Sequence, residues 1–302
     1  MSASQPTFAL NAEAAVPAVG FGTYLISNDD AEGAIWSAIA AGYRHIDTAS
    51  GYRNEEPVGA GIRQGLNAEG LTRADLFVTA KLWPGNPAWG DAAKSGAQTI
   101  EECDASLARL GLDYVDLYLI HAPYGGDLRL EQWRAVLDLQ ASGKARAVGV
   151  SNFNESHLDE IAEAGLPMPD ANQIELHPWS QKPNLLAFMA KHEIAPIAYS
   201  SLVPLSTWRT EPGQDSAKTD EMKADGTAFK DMAEKYGVSE AQLLLRWGVQ
   251  SGYAVLPKSL NPERMRQNLD LFSFSIDDAD MAKMATMDRG DGVAWASGDP
   301  SK

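Results

Sequence analysis

The chain has 302 residues, of which 44% are hydrophobic and 22% charged, and it carries a formal net charge of −16. That excess of acid repels nucleic acid and anionic lipid at long range, so any anionic ligand needs a local basic pocket. No apolar stretch approaches the roughly 18 residues that cross a bilayer.

The N-terminus, MSASQPTFALNAEAA, has neither a basic segment leading into an apolar core nor an Arg-rich transit pattern. A cytoplasmic monomer without membrane or nucleic-acid partners is expected. The length suits one large core spanning residues 1–302.

TFALNAEAAVP reads as a small hairpin that plugs the N-terminal opening of a barrel. Eight short β-branched or apolar runs come next: VGFGTYL (19–25), YRHIDTA (43–49), LFVTAKL (76–82), VDLYLIHA (115–122), ARAVGVSN (145–152), DANQIELH (170–177), IAPIAYSS (194–201) and YAVLPKS (253–259). Helical patterns fill nearly every gap, as in DDAEGAIWSAIAAG after the first run and EEPVGAGIRQGL after the second. Alternation of this kind, eight times over, predicts a (β/α)8 TIM barrel. Gly42, Gly143 and Gly252 stand just before three runs, where a preceding helix stops.

Two stretches are longer than a connection requires: SSLVPLSTWRTEPGQDSAKTDEMKADG after the seventh run, and the tail from about Asp288 to Lys302. Both are expected as long loops at the C-terminal face of the barrel. Cys103, the single cysteine, lies in the helical pattern AQTIEECDASLARL and is expected to be a buried or half-buried thiol without chemistry.

Strand ends carry the chemistry. Asp47, Lys81 and His121 each fall at or near the C-terminal end of a run, and Tyr52 follows Asp47 by five residues. In a parallel barrel those ends share one rim, where residues distant in sequence converge. A phenol beside an ammonium has its ionised form favoured, so Lys81 is expected to lower the pKa of Tyr52, with Asp47 holding the lysine and His121 donating to a substrate oxygen. Taken singly, each residue suits an ordinary rim pair or helix cap. A metal-dependent hydrolase is a second option for such a rim, but no His-x-His pair on the first strands and no HExxH is present, so no metal is expected. His45, His157 and His192 have no evident role, while His177 closes a run and is a candidate for the rim.

The strings GYRHIDTASGYRNEE, VTAKLWP, LYLIHAP, VGVSNF, NQIELHP, AYSSL and LPKSLNPERMRQN, in this order, resemble the aldo-keto reductase family, in its bacterial branch acting on diketo-gluconate and other dicarbonyls. The resemblance implies NADPH-dependent reduction of aldehydes and ketones, with Asp47, Tyr52, Lys81 and His121 as the catalytic set and Tyr52 as general acid. The same site run backwards would oxidise a secondary alcohol, with Tyr52 as base. A non-catalytic, cofactor-sensing subunit on this fold is a further alternative.

By the same resemblance, Gly22, Thr23 and Tyr24 border the cofactor, Ser151, Asn152 and Gln173 bond the nicotinamide carboxamide, and Tyr199 stacks on its ring. Ser200 and Leu202 run along the pyrophosphate, with Gln267 and Asn268 at the adenine. Lys258, Ser259 and Arg264 supply cations beside a hydroxyl, as a ribose 2′-phosphate requires, which favours NADPH over NADH. Asn261 is expected to cap a helix starting at Pro262. GAGIRQG (59–65) is not a dinucleotide fingerprint, since one glycine falls a residue too late inside a helical pattern.

Two departures from the family pattern stand out. Val203-Pro204 replaces a flexible glycine at the pyrophosphate clamp, and Ala122 replaces an aromatic after His121, which is expected to open the pocket. Tyr24, Trp83, Tyr124, Trp208 and Trp295, with Trp89 and Trp179 as further candidates, are expected to wall an apolar pocket for a small-molecule carbonyl substrate.

Overall fold

Residues alternate between two environments along each predicted run, because successive side chains of a strand point to opposite faces of the sheet. Phe77, Leu117, Leu119, Ala147, Ala171 and Ile197 belong to one buried cluster, while their neighbours Val78, Ala80, Tyr118, Ile120, Val148 and Ala198 belong to another. The computed structural model describes residues 5–206, 227–290, 295 and 299–301. Trp208 lies outside the described residues.

The strands are β3 (Phe21–Gly22), β4 (His45–Asp47), β5 (Phe77–Leu82), β6 (Val115–Ile120), β7 (Ala145–Ser151), β8 (Ala171–Glu175), β9 (Ala195–Tyr199) and β10 (Ala254–Val255). They lie side by side in chain order, every pair parallel. A parallel bridge joins Val19 to Val255, and the Gly20 N–H donates to the Val255 carbonyl at 2.8 Å, so the first strand meets the last. This is the expected (β/α)8 barrel. The last run forms a strand only at its start, since Pro257 has no N–H for a ladder.

Two shorter strands, β1 (Thr7–Ala9) and β2 (Ala15–Pro17), pair antiparallel as the expected hairpin. Leu10, Ala14 and Val16 from this hairpin share the interior cluster with Phe77, Leu117 and Leu119. The hairpin therefore fills the base of the barrel, and the other end is left for polar side chains.

Helices α1 (Asn28–Ala41), α2 (Glu55–Glu69), α3 (Gly96–Leu110), α4 (Arg129–Ala141), α5 (Glu155–Glu163) and α6 (Pro183–Lys191) follow successive strands. Beyond residues 207–226, which are not described, come α7 (Thr227–Tyr236), α8 (Glu240–Gln250), α9 (Pro262–Leu269) and α10 (Asp278–Ala285). Gly42, Gly143 and Gly252 adopt positive φ angles of 111°, 78° and 92°, the left-handed stop the sequence anticipates. Asn261 caps α9 by accepting from the Glu263 and Arg264 N–H groups. Cys103 is buried in the layer between sheet and helices.

Gly59, in the GAGIRQG segment, is required for packing rather than for a phosphate. A Cβ built there would overlap the carbonyl of Leu110 at the end of α3. Gly59→Ala should therefore force α2 away from α3 and lower stability by about 1–3 kcal/mol. Urea unfolding reads this as a lower midpoint at unchanged slope, and an unshifted midpoint would show that the helices do not meet this closely.

Candidate active site

Asp47 is the last residue of β4, and the chain then turns through a single 3₁₀ turn, Ser50–Tyr52, before entering α2. Arg53 completes the turn in the left-handed region at φ 58°. Ser50 pins this turn to the end of β5: its Oγ donates to the Lys81 carbonyl at 3.1 Å and accepts from the Trp83 N–H at 3.3 Å. Tyr52 is thereby held over Lys81.

The four residues singled out at the strand ends do converge. Lys81 is fully buried, and its three N–H groups meet three oxygens: Asp47 Oδ1 at 2.5 Å, the Thr48 carbonyl at 3.1 Å and Tyr52 Oη at 3.2 Å. Because Lys81 donates to Oη, the phenol keeps its own hydrogen for another acceptor. His121 packs edge-on against Tyr52, with ring centroids 5.4 Å apart, and against Trp83 at 5.9 Å.

The other oxygen of Asp47 is not idle. Gln173 reaches across the barrel from β8, its Nε2 donating to Asp47 Oδ2 at 2.7 Å. The Gln173 carbonyl accepts from Ser151 Oγ at 2.7 Å and from the Asn152 N–H at 3.0 Å, and Asn152 Nδ2 donates to the His121 carbonyl at 2.9 Å. Residues expected at the cofactor are thus wired into those expected at the proton transfer. Asn152 and Ser200 both adopt positive φ, at 63° and 57°, at strand ends. Such non-glycine strain collects where a site demands it.

Burial governs the titration of these groups. It pushes the Tyr52 hydroxyl well above its usual range, with the Asp47 carboxylate adding to the effect. The sequence expectation, that Lys81 lowers the phenol, is reversed because lost hydration and the Asp47 charge outweigh one ammonium. Burial also draws Lys81 below its usual value, with Asp47 opposing. His121 is lowered to about 3 by burial and then by the Lys81 charge, so its ring is neutral at physiological pH.

A cleft of about 1090 Å³ opens over these groups. Its wall includes Gly22, Tyr24, Ser151, Asn152, Gln173, Tyr199, Ser200, Leu202, Lys258, Trp83 and Trp295, all anticipated from the sequence. Thr23 is fully buried beside it, and Ser259, Arg264, Gln267 and Asn268 stand outside its lining. Arg264 is exposed in the first turns of α9, and Asn268 is buried against Tyr43. Tyr124 packs behind the wall, with centroids 6.0 Å from Trp83 and 5.6 Å from Trp89.

Tyr124, expected in the wall, is thus behind it, and three further expectations fail. Ala122 is fully buried and absent from the cleft wall, so its small side chain faces packing rather than the pocket. Trp179 is buried in the cluster around Phe229 and Leu243, on α7 and α8. His177 is also buried, its Nε2 2.9 Å from Glu175 Oε1, and does not reach the rim. Conversely, Arg53 and Ser201 line the cleft without having been singled out. Both had a local signal: Arg53 follows Tyr52 directly, and Ser201 lies two residues beyond Tyr199. Among the described residues, no helix is long and apolar enough to cross a membrane.

A closed parallel barrel with a carboxylate, an ammonium, a phenol and a neutral imidazole at its C-terminal mouth is the architecture of a barrel enzyme with its site at the strand ends. The sequence model of the aldo/keto reductase family matches residues 18–289. Morphine 6-dehydrogenase of Pseudomonas putida is 38% identical over 292 residues, covering 96% of this chain and 94% of that protein. Methylglyoxal reductase of Escherichia coli K12 is 36% identical over 276 residues, covering 91% and 90%. Among solved structures, a Bombyx mori aldo-keto reductase in complex with NADP superposes with a TM-score of 0.83 at 34% identity, covering 95% of this chain and 94% of that one. A Brucella melitensis aldo/keto reductase gives 0.79 at 40% identity, covering 94% and 100%. The chain belongs to the aldo/keto reductase family, oxidoreductases that act on carbonyl groups.

The buried histidines contribute to a loss of stability in acid. His45 and His121 are each lowered to about 3 from an ordinary 6.5, burial being the main cause. The unfolded chain therefore binds more protons than the folded one between pH 6.5 and 3, and stability falls as pH drops through that window. Each histidine should remove roughly 2 kcal/mol between pH 6.5 and 5. Urea midpoints measured at both pH values, with His45→Gln recovering part of the loss, test this; a flat profile would contradict it.

Proposed function

We propose that the chain reduces aldehyde and ketone carbonyls with NADPH, using Tyr52 as proton donor. The observation that carries this reading is the Lys81 ammonium shared between Asp47 and the Tyr52 hydroxyl. The residues fit a nicotinamide dinucleotide. Ser201 Oγ is buried and partnerless in the cleft wall, Gln173 uses its amide nitrogen on Asp47 and keeps its oxygen for a carboxamide, and Lys258 lies at the cleft edge.

When bound, the reduced nicotinamide supplies the hydride that reaches the carbonyl carbon. Ser151, Asn152 and Gln173 hold its carboxamide, and Tyr199 stacks on the ring. Ser200 and Leu202 follow the pyrophosphate, with Ser201 added by its free hydroxyl. Lys258, Ser259 and Arg264 take the 2′-phosphate, with Gln267 and Asn268 at the adenine and Gly22, Thr23 and Tyr24 along the near edge.

Tyr52 Oη then gives its proton to the substrate oxygen. Charge appears on Oη as the proton leaves, and the Lys81 N–H already directed there stabilises it without reorganisation. His121 Nδ1 is buried and partnerless, so Nε2 is the ring nitrogen available to a substrate oxygen. Tyr24, Trp83 and Trp295 give the apolar wall that suits hydrophobic or aromatic carbonyls, and the methylglyoxal reductase relative supports a carbonyl of small size. One relative is named a dehydrogenase, and the same groups run in reverse would oxidise a secondary alcohol. The protonated phenol is the form from which a substrate oxygen can draw its proton.

Tyr52→Phe should abolish carbonyl reduction, by ~10²-fold or more, while leaving NADPH affinity intact, since only the proton donor is removed. Turnover at the original rate would refute its role. Arg264→Ala should weaken NADPH roughly tenfold or more and NADH hardly at all, through loss of a charge-assisted phosphate contact. Fluorescence titration with each cofactor decides this, and equal losses would remove the 2′-phosphate assignment.

A further inference from the structure

Trp295 reaches the site by a hydrogen bond rather than by mere proximity. Trp295 Nε1 donates to Tyr199 Oη at 2.9 Å, and Tyr199 Oη donates to Asn152 Oδ1 at 2.7 Å. Asn152 Nδ2 in turn donates to the His121 carbonyl and, at 3.1 Å, to Ser151 Oγ. The end of the tail is fastened behind the same residues: Asn154 Nδ2 donates to the Ser301 carbonyl at 2.7 Å, and Lys182 Nζ lies 3.8 Å from Asp299. Asp299, Pro300 and Ser301 line a small hollow together with Asn152 and Tyr199.

A side chain that only walled a substrate pocket would need no donor on Tyr199. Here the donor completes the phenol: Tyr199 Oη gives its hydrogen to Asn152 and receives one from Trp295, so the angle of its ring and the amide plane of Asn152 are fixed together. Asn152 Oδ1 retains a second lone pair toward the cleft wall. We infer that Trp295 is a positioning residue for the nicotinamide, setting Tyr199 and Asn152 from the far side, and that tail docking and cofactor binding are coupled. This rests on the proposed NADPH site. Coupling between two sites is reciprocal, so the cofactor must strengthen tail docking by the factor that docking strengthens cofactor binding.

Trp295→Phe keeps an aromatic ring and removes the donor. Without carbonyl substrate, its dissociation constant for NADPH should rise about fivefold, the effect of one neutral hydrogen bond. In a Tyr199→Phe background, where the acceptor is already gone, the same substitution should change affinity less than about twofold. An unchanged NADPH constant with a raised carbonyl KM would reduce Trp295 to a pocket wall and overturn the inference, as would full additivity of the two substitutions. The unsubstituted protein gives an independent reading, since NADPH should slow carboxypeptidase removal of the tail, and an equal rate with and without NADPH would also overturn it. Failure of the unsubstituted protein to bind either nicotinamide cofactor would sink the functional reading itself, and this inference with it.

Discussion

Lys81 carries a charge at a position with no exposure to water. An ammonium moved there without partners would cost several kcal/mol, and the chain offsets this by directing each of its three N–H groups at an oxygen. Two of those oxygens belong to a carboxylate and a backbone carbonyl, which only accept. The third belongs to Tyr52, which accepts from Lys81 while keeping a hydrogen to give. The need to satisfy one buried cation therefore leaves the phenol as the group facing outward with a transferable proton.

The barrel makes this arrangement possible by parity. Asp47, Lys81, His121, Ser151, Gln173 and Tyr199 all continue the inward-facing rows whose lower members are Phe77, Leu119, Ala147, Ala171 and Ile197. Apolar side chains and the hairpin fill the base, so the polar ones gather at one end with little water among them. Low hydration raises Tyr52 and lowers His121 and Lys81. All three shifts favour the uncharged form, as burial requires. Ion pairing then decides which group stays charged, and Asp47 retains Lys81.

Much of this was legible in the chain because it rests on local patterns. Short apolar runs separated by helical patterns mark the strands, turn glycines mark the helix stops, and Asn261 before Pro262 marks the cap of α9. The contact of Gln173 with Asp47 was not legible, because it spans the barrel between strands that are not neighbours in the sheet. The sign of the Tyr52 shift was misread for a related reason: sequence names the charges but not how much water each has lost. Ala122 is tied to the pocket by its place in the family pattern and Trp179 by its place after a strand, yet both are buried in packing away from the cleft. The link from Trp295 to Tyr199 joins residues far apart in the chain, for which no periodicity speaks.

Closure of the barrel through Val19 and Val255 joins its first strand to its last. The opening strand must wait, with one edge unpaired, until the last strand has been synthesised. Loop-closure entropy and high contact order then make this joining slow. Until it happens the exposed edge invites pairing with another chain. The hairpin ahead of that strand can cover the apolar base of the unfinished sheet in the interval, so a segment remote from the chemistry bears on how safely the nascent protein reaches its final form.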